Sequence, residues 1–284
     1  IASRPEGIEL IATSRSGGDG LLALDLADAE ACRAALQQHR PDWVLNGGAY
    51  TAVDKAESEP ELAQAVNTGA PRTFAEALSS TGGRLLQLST DFVFNGQRGT
   101  PYRPDQQRDP LGVYGSTKAA GEEAVEQVLG GSGRAVILRT SWVMGPVGRN
   151  FALTMLRLHR EREQISVVAD QVGCPTSTLG LAQACWRAVE RVSVQPGQLD
   201  LINHWSDAGA ASWYDVAVAI GELGKELGLL ERAAQVAPIT TADYPTPAQR
   251  PSYSLLDCTA TRRALDLQPL HWRQALHRVL EAVG

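Results

Sequence analysis

Four short, near-continuously apolar runs rich in branched side chains fall at residues 8–12, 43–45, 85–88 and 135–138. A strand that is apolar along its whole length has both faces covered, which is the habit of parallel sheets. Helical patterns lie between these runs. Cys32, Ala35, Leu36 and His39 recur at i, i+3, i+4 and i+7, with Asp28 placed to start a helix and Pro41 to stop it. A further helix is expected over 61–66, and Pro71 suits the first turn of the next, which should end near Gly82-Gly83. Strand and helix alternate to about residue 145, so the fold class predicted is α/β, a doubly wound, Rossmann-like parallel sheet.

Beyond Gly145-Pro146 the alternation is less regular. Prolines and glycines gather at 173–175 and again at 238–251. The division expected is a dinucleotide-binding region over 1–145 and a smaller mixed α/β region over 146–284, mainly for substrate, with some segments returning to the first. Helices are predicted at 150–162, 179–192, 212–227 and 271–283, the last with Trp272, Leu276, Val279, Leu280 and Val283 on one stripe. Strands are predicted at 165–169 and 199–203. A doubly wound dinucleotide domain opens with a strand, a glycine-rich turn and a helix, and none of the three precedes the run at 8–12. Residues 1–7 therefore read as a lead-in to a second strand, with roughly 20–30 residues of such a unit expected ahead of them.

Composition removes several classes of function. The 284 residues carry a net charge of −6 and no basic run interleaved with aromatics, so nucleic acid is not an expected partner. No apolar stretch reaches the length of a membrane span and no charged-then-apolar leader opens the chain, so a membrane is not expected either, and the default location is cytoplasmic. Cys32, Cys174, Cys185 and Cys258 are scattered without a C-x-x-C pair, and the five histidines form no ligand pattern. No metal is assigned.

The chemistry lies in Tyr114-Gly115-Ser116-Thr117-Lys118 and Ser89-Thr90-Asp91. On a helix, residues four apart share a face, which would set the Lys118 ammonium near the Tyr114 phenol. A fixed cation favours phenolate and would draw a group that titrates near 10 toward neutral pH, especially beside a cationic nicotinamide. Thr90 adds a hydroxyl able to hold a carbonyl oxygen, and it follows the run at 85–88, at the strand end where open α/β sheets bind ligands. Gly47 and Gly48 likewise follow a strand, where missing side chains would let a cofactor approach the backbone.

In order along the chain, residues 46–57 (NGGAYTAVDKAE), 89–94 (STDFVF), Tyr114 to Lys118, 139–143 (RTSWV), 170–176 (DQVGCPT) and 244–251 (YPTPAQRP) resemble the dTDP-4-dehydrorhamnose reductases, which are extended short-chain dehydrogenases/reductases. The likeness runs from about residue 8 to the carboxyl terminus. It implies reduction of the C4 ketone of dTDP-4-dehydro-6-deoxy-L-mannose by a nicotinamide cofactor, with Tyr114 as proton donor, Thr90 as second donor to the ketone oxygen, and Lys118 on the nicotinamide ribose. It also implies substrate contacts at Thr90, Asp91, Trp142 and Arg250, and cofactor contacts at Ser14, Arg15, Asp25, Leu26, Gly47, Gly48, Ala49, Tyr50, Thr51, Tyr114 and Lys118. Many relatives carry an acid where this chain has Ser14 followed by Arg15; a carboxylate repels a 2′-phosphate and an arginine pairs with it, so NADPH is expected over NADH. Arg15 as a solvated loop residue stays open, as does Trp142 as a core aromatic. The partner implied is a nucleotide sugar, and a homodimer is left open. Two rivals stand beside this reading: another extended reductase, epimerase or dehydratase on a nucleotide sugar, and a non-catalytic regulatory subunit of the same fold.

Overall fold

The computed structural model describes residues 3–283; residues 1, 2 and 284 lie outside the described residues, and with them part of the expected lead-in and the outer ends of the two expected regions. The first regular element is a short parallel pair, β1 (Thr13–Ser14) and β2 (Leu22–Ala23). The strand expected at 8–12 does not form. Those residues alternate between half-buried and exposed, and apart from the Ala12 carbonyl, which accepts from Leu22 N at 2.9 Å, they have no ladder partner. An apolar run becomes strand only where a neighbouring backbone takes its N–H and C=O groups.

Helix α1 (Ala29–His39) starts as expected, with the Asp28 carboxylate accepting from Ala31 N at 2.9 Å, and ends at Arg40 just before Pro41. After β3 (Trp43–Asn46) come α2 (Val53–Ala56) and α3 (Pro60–Gln64). The helices expected at 61–66 and from Pro71 are joined: α3 runs through a π-helical turn, Ala65–Gly69, into α4 (Ala70–Thr81). Pro71 has no N–H for the Asn67 carbonyl, so the ladder widens at that point. Gly82, at φ 84°, closes α4. Strand β4 (Arg84–Thr90) is followed by a 3-10 turn, Asp91–Val93, then α5 (Val113–Leu129) and β5 (Ala135–Thr140).

The later elements are β6 (Val143–Met144), α6 (Phe151–Glu161), β7 (Gln164–Val168), β8 (Val172–Gly173), β9 (Thr176–Ser177), α7 (Thr178–Val194) and β10 (Ile202–His204). They close with β11 (Ala211–Ser212), α8 (Trp213–Glu226), β12 (Gln235–Ile239), α9 (Thr259–Leu265) and α10 (Trp272–Glu281). The strand expected at 199–203 is displaced to β10, and several elements were not expected, among them α2, the two-residue strands, α9, and β12, which falls where prolines suggested loop. Pro238 is tolerated because β12 pairs with a single neighbour, β7, leaving an unpaired edge where its missing N–H is harmless.

The central sheet is parallel, in the order β10-β5-β4-β3, and β10 brings the chain back to it from beyond residue 200. Alternate residues of β4 and β5 point to opposite faces. Leu85 and Ile137 pack with α1, α4 and α5 through Leu36, Phe74, Leu78 and Val125, whereas Leu86, Val136 and Leu138 pack with α7 through Leu181, Cys185 and Val189. Both faces are thus covered, which is why these strands read as nearly continuous apolar runs. A separate core joins α6, α8 and α10 around Leu156, Ile220 and Leu276, and within it Trp272 and Leu280 hold the expected stripe. Among the described residues no helix is long and apolar enough to cross a membrane.

Candidate active site

Thr90 is the last residue of β4, Asp91 opens the 3-10 turn, and Tyr114 and Lys118 lie in the first turns of α5. All four meet at the carboxyl end of the sheet. The Thr90 hydroxyl accepts from Phe92 N at 3.2 Å, donates to Asp91 Oδ1 at 3.1 Å, and lies close enough to the Tyr114 phenol to act on it. A hydroxyl has one proton, so Thr90 can serve Asp91 or a ligand oxygen, not both at once. Phe92 packs edge-on against Tyr114, centroids 5.5 Å apart. Gly115 makes this possible, since a Cβ there would stand 2.3 Å from the Phe92 carbonyl oxygen.

The electrostatics correct one expectation. Burial pushes the Tyr114 phenol up to about 12; the Thr90 hydroxyl pulls it back and the Asp91 charge raises it further. Lys118 is not among the groups that move it. Its ammonium is buried and donates to the Leu88 carbonyl at 2.7 Å, and burial draws it down to about 8 against the pull of Glu122. The protein alone therefore holds a neutral phenol, the protonated form that a proton donor requires. Burial also lifts Asp91 to about 6, opposed by Ser254 and Thr90. Asp91 Oδ2 has no hydrogen-bond partner of good geometry among the described residues, although Ser254 stands close to the carboxyl.

The cofactor-side residues gather at the ends of β1, β2 and β3. Ser14 is half-buried, with its hydroxyl toward the Gly17 carbonyl at 3.4 Å, and Arg15 is exposed with its Nε 4.0 Å from Asp25. Leu26 lies under the Gly47-Gly48-Ala49 turn: a Cβ on Gly48 would fall 2.4 Å from Leu26 Cδ1, whereas Gly47 meets nothing closer than 3.7 Å. The turn is pinned by Asn67, which accepts from Tyr50 N at 2.8 Å, donates to the Tyr50 carbonyl at 3.1 Å, and donates to Thr117 Oγ1 of α5 at 3.1 Å. Tyr50 itself points away to Glu59, and Thr51 is exposed. The exposed backbone at Gly47, with Lys118 protons left over beyond Leu88, suits a nicotinamide dinucleotide and its ribose hydroxyls, whereas the bare Cα of Gly48 makes room for Leu26.

Among the described residues, Arg250 makes no hydrogen bond or ion pair with Thr90, Tyr114 or Lys118. Its two terminal nitrogens grip both oxygens of Asp54, at 2.9 and 2.7 Å, and Asp54 titrates below the usual carboxylate range because of that bond. The pair straps the 244–251 segment to α2. Trp142 follows β5 and reaches the cluster through Gly173 and Ser254.

Several residues of the site carried no sequence signal beyond their place in a motif. Glu57 accepts from Val113 N at 2.9 Å and so caps the helix that carries Tyr114. One and two turns past Tyr114, Lys118 is followed by Glu122, which burial would push up but which two guanidiniums hold low: Arg139 grips it at 2.6 and 2.9 Å and Arg108 at 2.6 Å. An Asn, a Glu or a Ser has many uses, and only contact across the fold selects one. Periodicity on α5 could have flagged Glu122, since a buried face of a helix rarely carries a carboxylate without a partner.

The RmlD substrate binding domain family matches residues 2–284. The dTDP-4-dehydrorhamnose reductase of Streptomyces griseus is 44% identical over 256 residues, covering 89% of this chain and 81% of that protein. The chain belongs to the dTDP-4-dehydrorhamnose reductase family. The Aggregatibacter actinomycetemcomitans member is 38% identical, covering 90% of this chain and 86% of that one. Among solved structures, a dTDP-4-dehydrorhamnose reductase from Bacillus anthracis in complex with NADP superposes with a TM-score of 0.79 at 34% identity, covering 90% of this chain and 86% of that one. The dTDP-4-dehydrorhamnose reductases thus share this chain's sequence and its fold over nearly the whole length.

Proposed function

We propose that this protein reduces the C4 ketone of dTDP-4-dehydro-6-deoxy-L-mannose to give dTDP-L-rhamnose, with NADPH as reductant, in the cytoplasm. The observation that carries the reading is the meeting of Thr90, Tyr114 and Lys118 at the carboxyl end of β4 in a chain of this family. A hydride for the ketone carbon is what NADPH supplies when bound. As that carbon is reduced, the C=O π pair moves onto oxygen and takes the proton of Tyr114 Oη, leaving a phenolate that solvent reprotonates. Thr90, released from Asp91, donates a hydrogen bond to the same oxygen and steadies its charge while it forms. Lys118 would hold the nicotinamide ribose with the protons that the Leu88 carbonyl does not take.

Ser14, Asp25 and Leu26 would line the adenosine side of the cofactor, and the Gly47 to Thr51 turn would hold it further along. The NADP-bound B. anthracis relative supports NADPH. Arg15 would pair with the 2′-phosphate by leaving Asp25, an exposed contact at 4.0 Å that is easily exchanged. Asp91 and Trp142 face the deoxysugar, and Arg250 acts by holding its strap against α2.

The test is spectrophotometric NADPH oxidation by the full-length protein with the dTDP-4-keto sugar. Oxidation in proportion to sugar reduced, with a higher kcat/KM for NADPH than for NADH, is expected. Conversion of the sugar with no net NADPH loss would instead mark an epimerase or dehydratase, which recycle their cofactor.

A further inference from the structure

Trp142 sits at φ 48°, a backbone conformation that a bulky side chain rarely adopts, two residues past the carboxyl end of β5. Residues held in such conformations persist only where their surroundings over-determine them, and they cluster at ligand-binding places. What holds Trp142 is visible. Its indole stacks on that of Trp213, the first residue of α8, with centroids 3.6 Å apart and planes 9° from parallel. Phe151, the first residue of α6, tilts against Trp213 at 4.6 Å. On the other neighbour, Gly173, a Cβ would stand 2.7 Å from Trp142 Cε2 and 3.0 Å from Ser254 Oγ, and Ser254 in turn bears on Asp91. A line of contact thus runs from Thr90 through Asp91, Ser254, Gly173 and Trp142 to Trp213.

Trp213 itself is fixed by its helix. Ser212 caps α8 with a reciprocal capping box to Asp215, and β11 just before it pairs with β8, which contains Gly173. The two neighbours of the Trp142 ring, Trp213 and Gly173, are therefore tied together through one small antiparallel pair. Both indoles are half-buried, so the stack borders open space rather than the centre of a core.

The geometry points to Trp213 as a positioning residue for the reduction: by stacking on Trp142 it fixes that indole as a flat shelf for the deoxysugar of the nucleotide-sugar substrate, without touching the reacting atoms. This rests on the function proposed above. An indole face suits the C–H face of a sugar ring, and a shelf of this kind acts on substrate affinity more than on the chemical step. A merely structural Trp213 would instead affect stability, cofactor binding and turnover together.

The variants are Trp213→Leu, which removes the stack, and Trp213→Phe, which keeps an aromatic face. Three quantities are read: the exciton couplet of two stacked indoles by circular dichroism, steady-state kcat and KM, and the Kd values for NADPH and for dTDP-L-rhamnose by calorimetry. Trp213→Leu should abolish the couplet, raise the sugar-nucleotide KM and Kd about tenfold, and leave NADPH Kd and kcat within about twofold. Trp213→Phe should recover most of the sugar-nucleotide affinity. Loss of the couplet with unchanged sugar-nucleotide Kd overturns the inference, and so does a parallel fall in kcat, both affinities and Tm. Wild-type protein that binds dTDP-L-rhamnose but oxidises no NADPH would refute the proposed reaction alone, because the calorimetric comparison of variants still decides the role of Trp213.

Discussion

Adding one methyl group beside the proton donor tests how closely the site is packed. In Gly115→Ala the new Cβ would stand 2.3 Å from the Phe92 carbonyl oxygen and 3.0 Å from Pro110 Cβ. Carbon and oxygen settle at roughly 3.3–3.6 Å even in favourable C–H···O contacts, so the first turn of α5 must retreat by about 1 Å from the Asp91–Val93 turn. The atom in the way is backbone and cannot swing aside. Overpacking of this kind costs about 1–3 kcal/mol, and the better helix propensity of Ala returns up to about 1 kcal/mol, so the net loss of stability is about 1 kcal/mol and Tm falls by about 2–4 °C. Catalysis should suffer more. Tyr114 moves with its helix away from Thr90, and a misplacement near 1 Å can cost about 10²-fold. NADPH oxidation and thermal unfolding are measured for Gly115→Ala and for Gly131→Ala, where a Cβ meets nothing within 4 Å. The expected result is a kcat/KM about 10²-fold lower for Gly115→Ala with Gly131→Ala at the wild-type value. Wild-type kcat/KM in Gly115→Ala, or equal losses in both, would refute the packing argument.

Three further outcomes follow from the same structure. A carboxyl that titrates at about 6 when folded instead of 3.8 binds its proton more tightly in the folded protein, so stability is lost as pH rises through that window, roughly 3 kcal/mol for Asp91 by pH 7. Asp91→Asn should therefore raise Tm at pH 7.5, with the gain shrinking to nothing near pH 4; a pH-independent difference contradicts it. Glu122→Gln leaves Arg139 buried without its anion, while Arg108 keeps Glu126, and should cost about 3–5 kcal/mol by denaturant unfolding, whereas a loss under 1 kcal/mol would show the Arg139 ion pair to be dispensable. Arg15→Ala should raise KM for NADPH about tenfold and leave KM for NADH unchanged, an asymmetry that a purely solvated Arg15 would not produce.

The parts of the fold legible in the sequence are those where one signal acts alone. Strands β3, β4 and β5 declare themselves because covering both faces leaves few polar positions to break the run, and the caps of α1, α6 and α8 are single residues with a single effect. The strand expected at 8–12 fails because a ladder needs a partner that periodicity does not supply. Helices α3 and α4 were separated at Pro71, yet a π turn carries the chain through. Within the site, the i+4 spacing of Tyr114 and Lys118 was readable and so was the adjacency of Thr90 to a strand end. The balance of forces on the phenol was not, because desolvation depends on what the whole fold lays over it, and here it outweighs the expected pull of Lys118. Asn67, Glu57 and Ser254 act through contacts 17, 56 and more residues away in sequence, which no local pattern encodes.

The role of the Tyr114 hydroxyl as proton donor is tested most directly by removing that atom alone. Tyr114→Phe keeps the ring against Phe92 and takes away only the hydroxyl. Single-turnover NADPH oxidation with saturating dTDP-4-keto sugar should slow by about 10²–10⁴-fold, with the NADPH Kd unchanged. Turnover within about threefold of wild type would contradict the account.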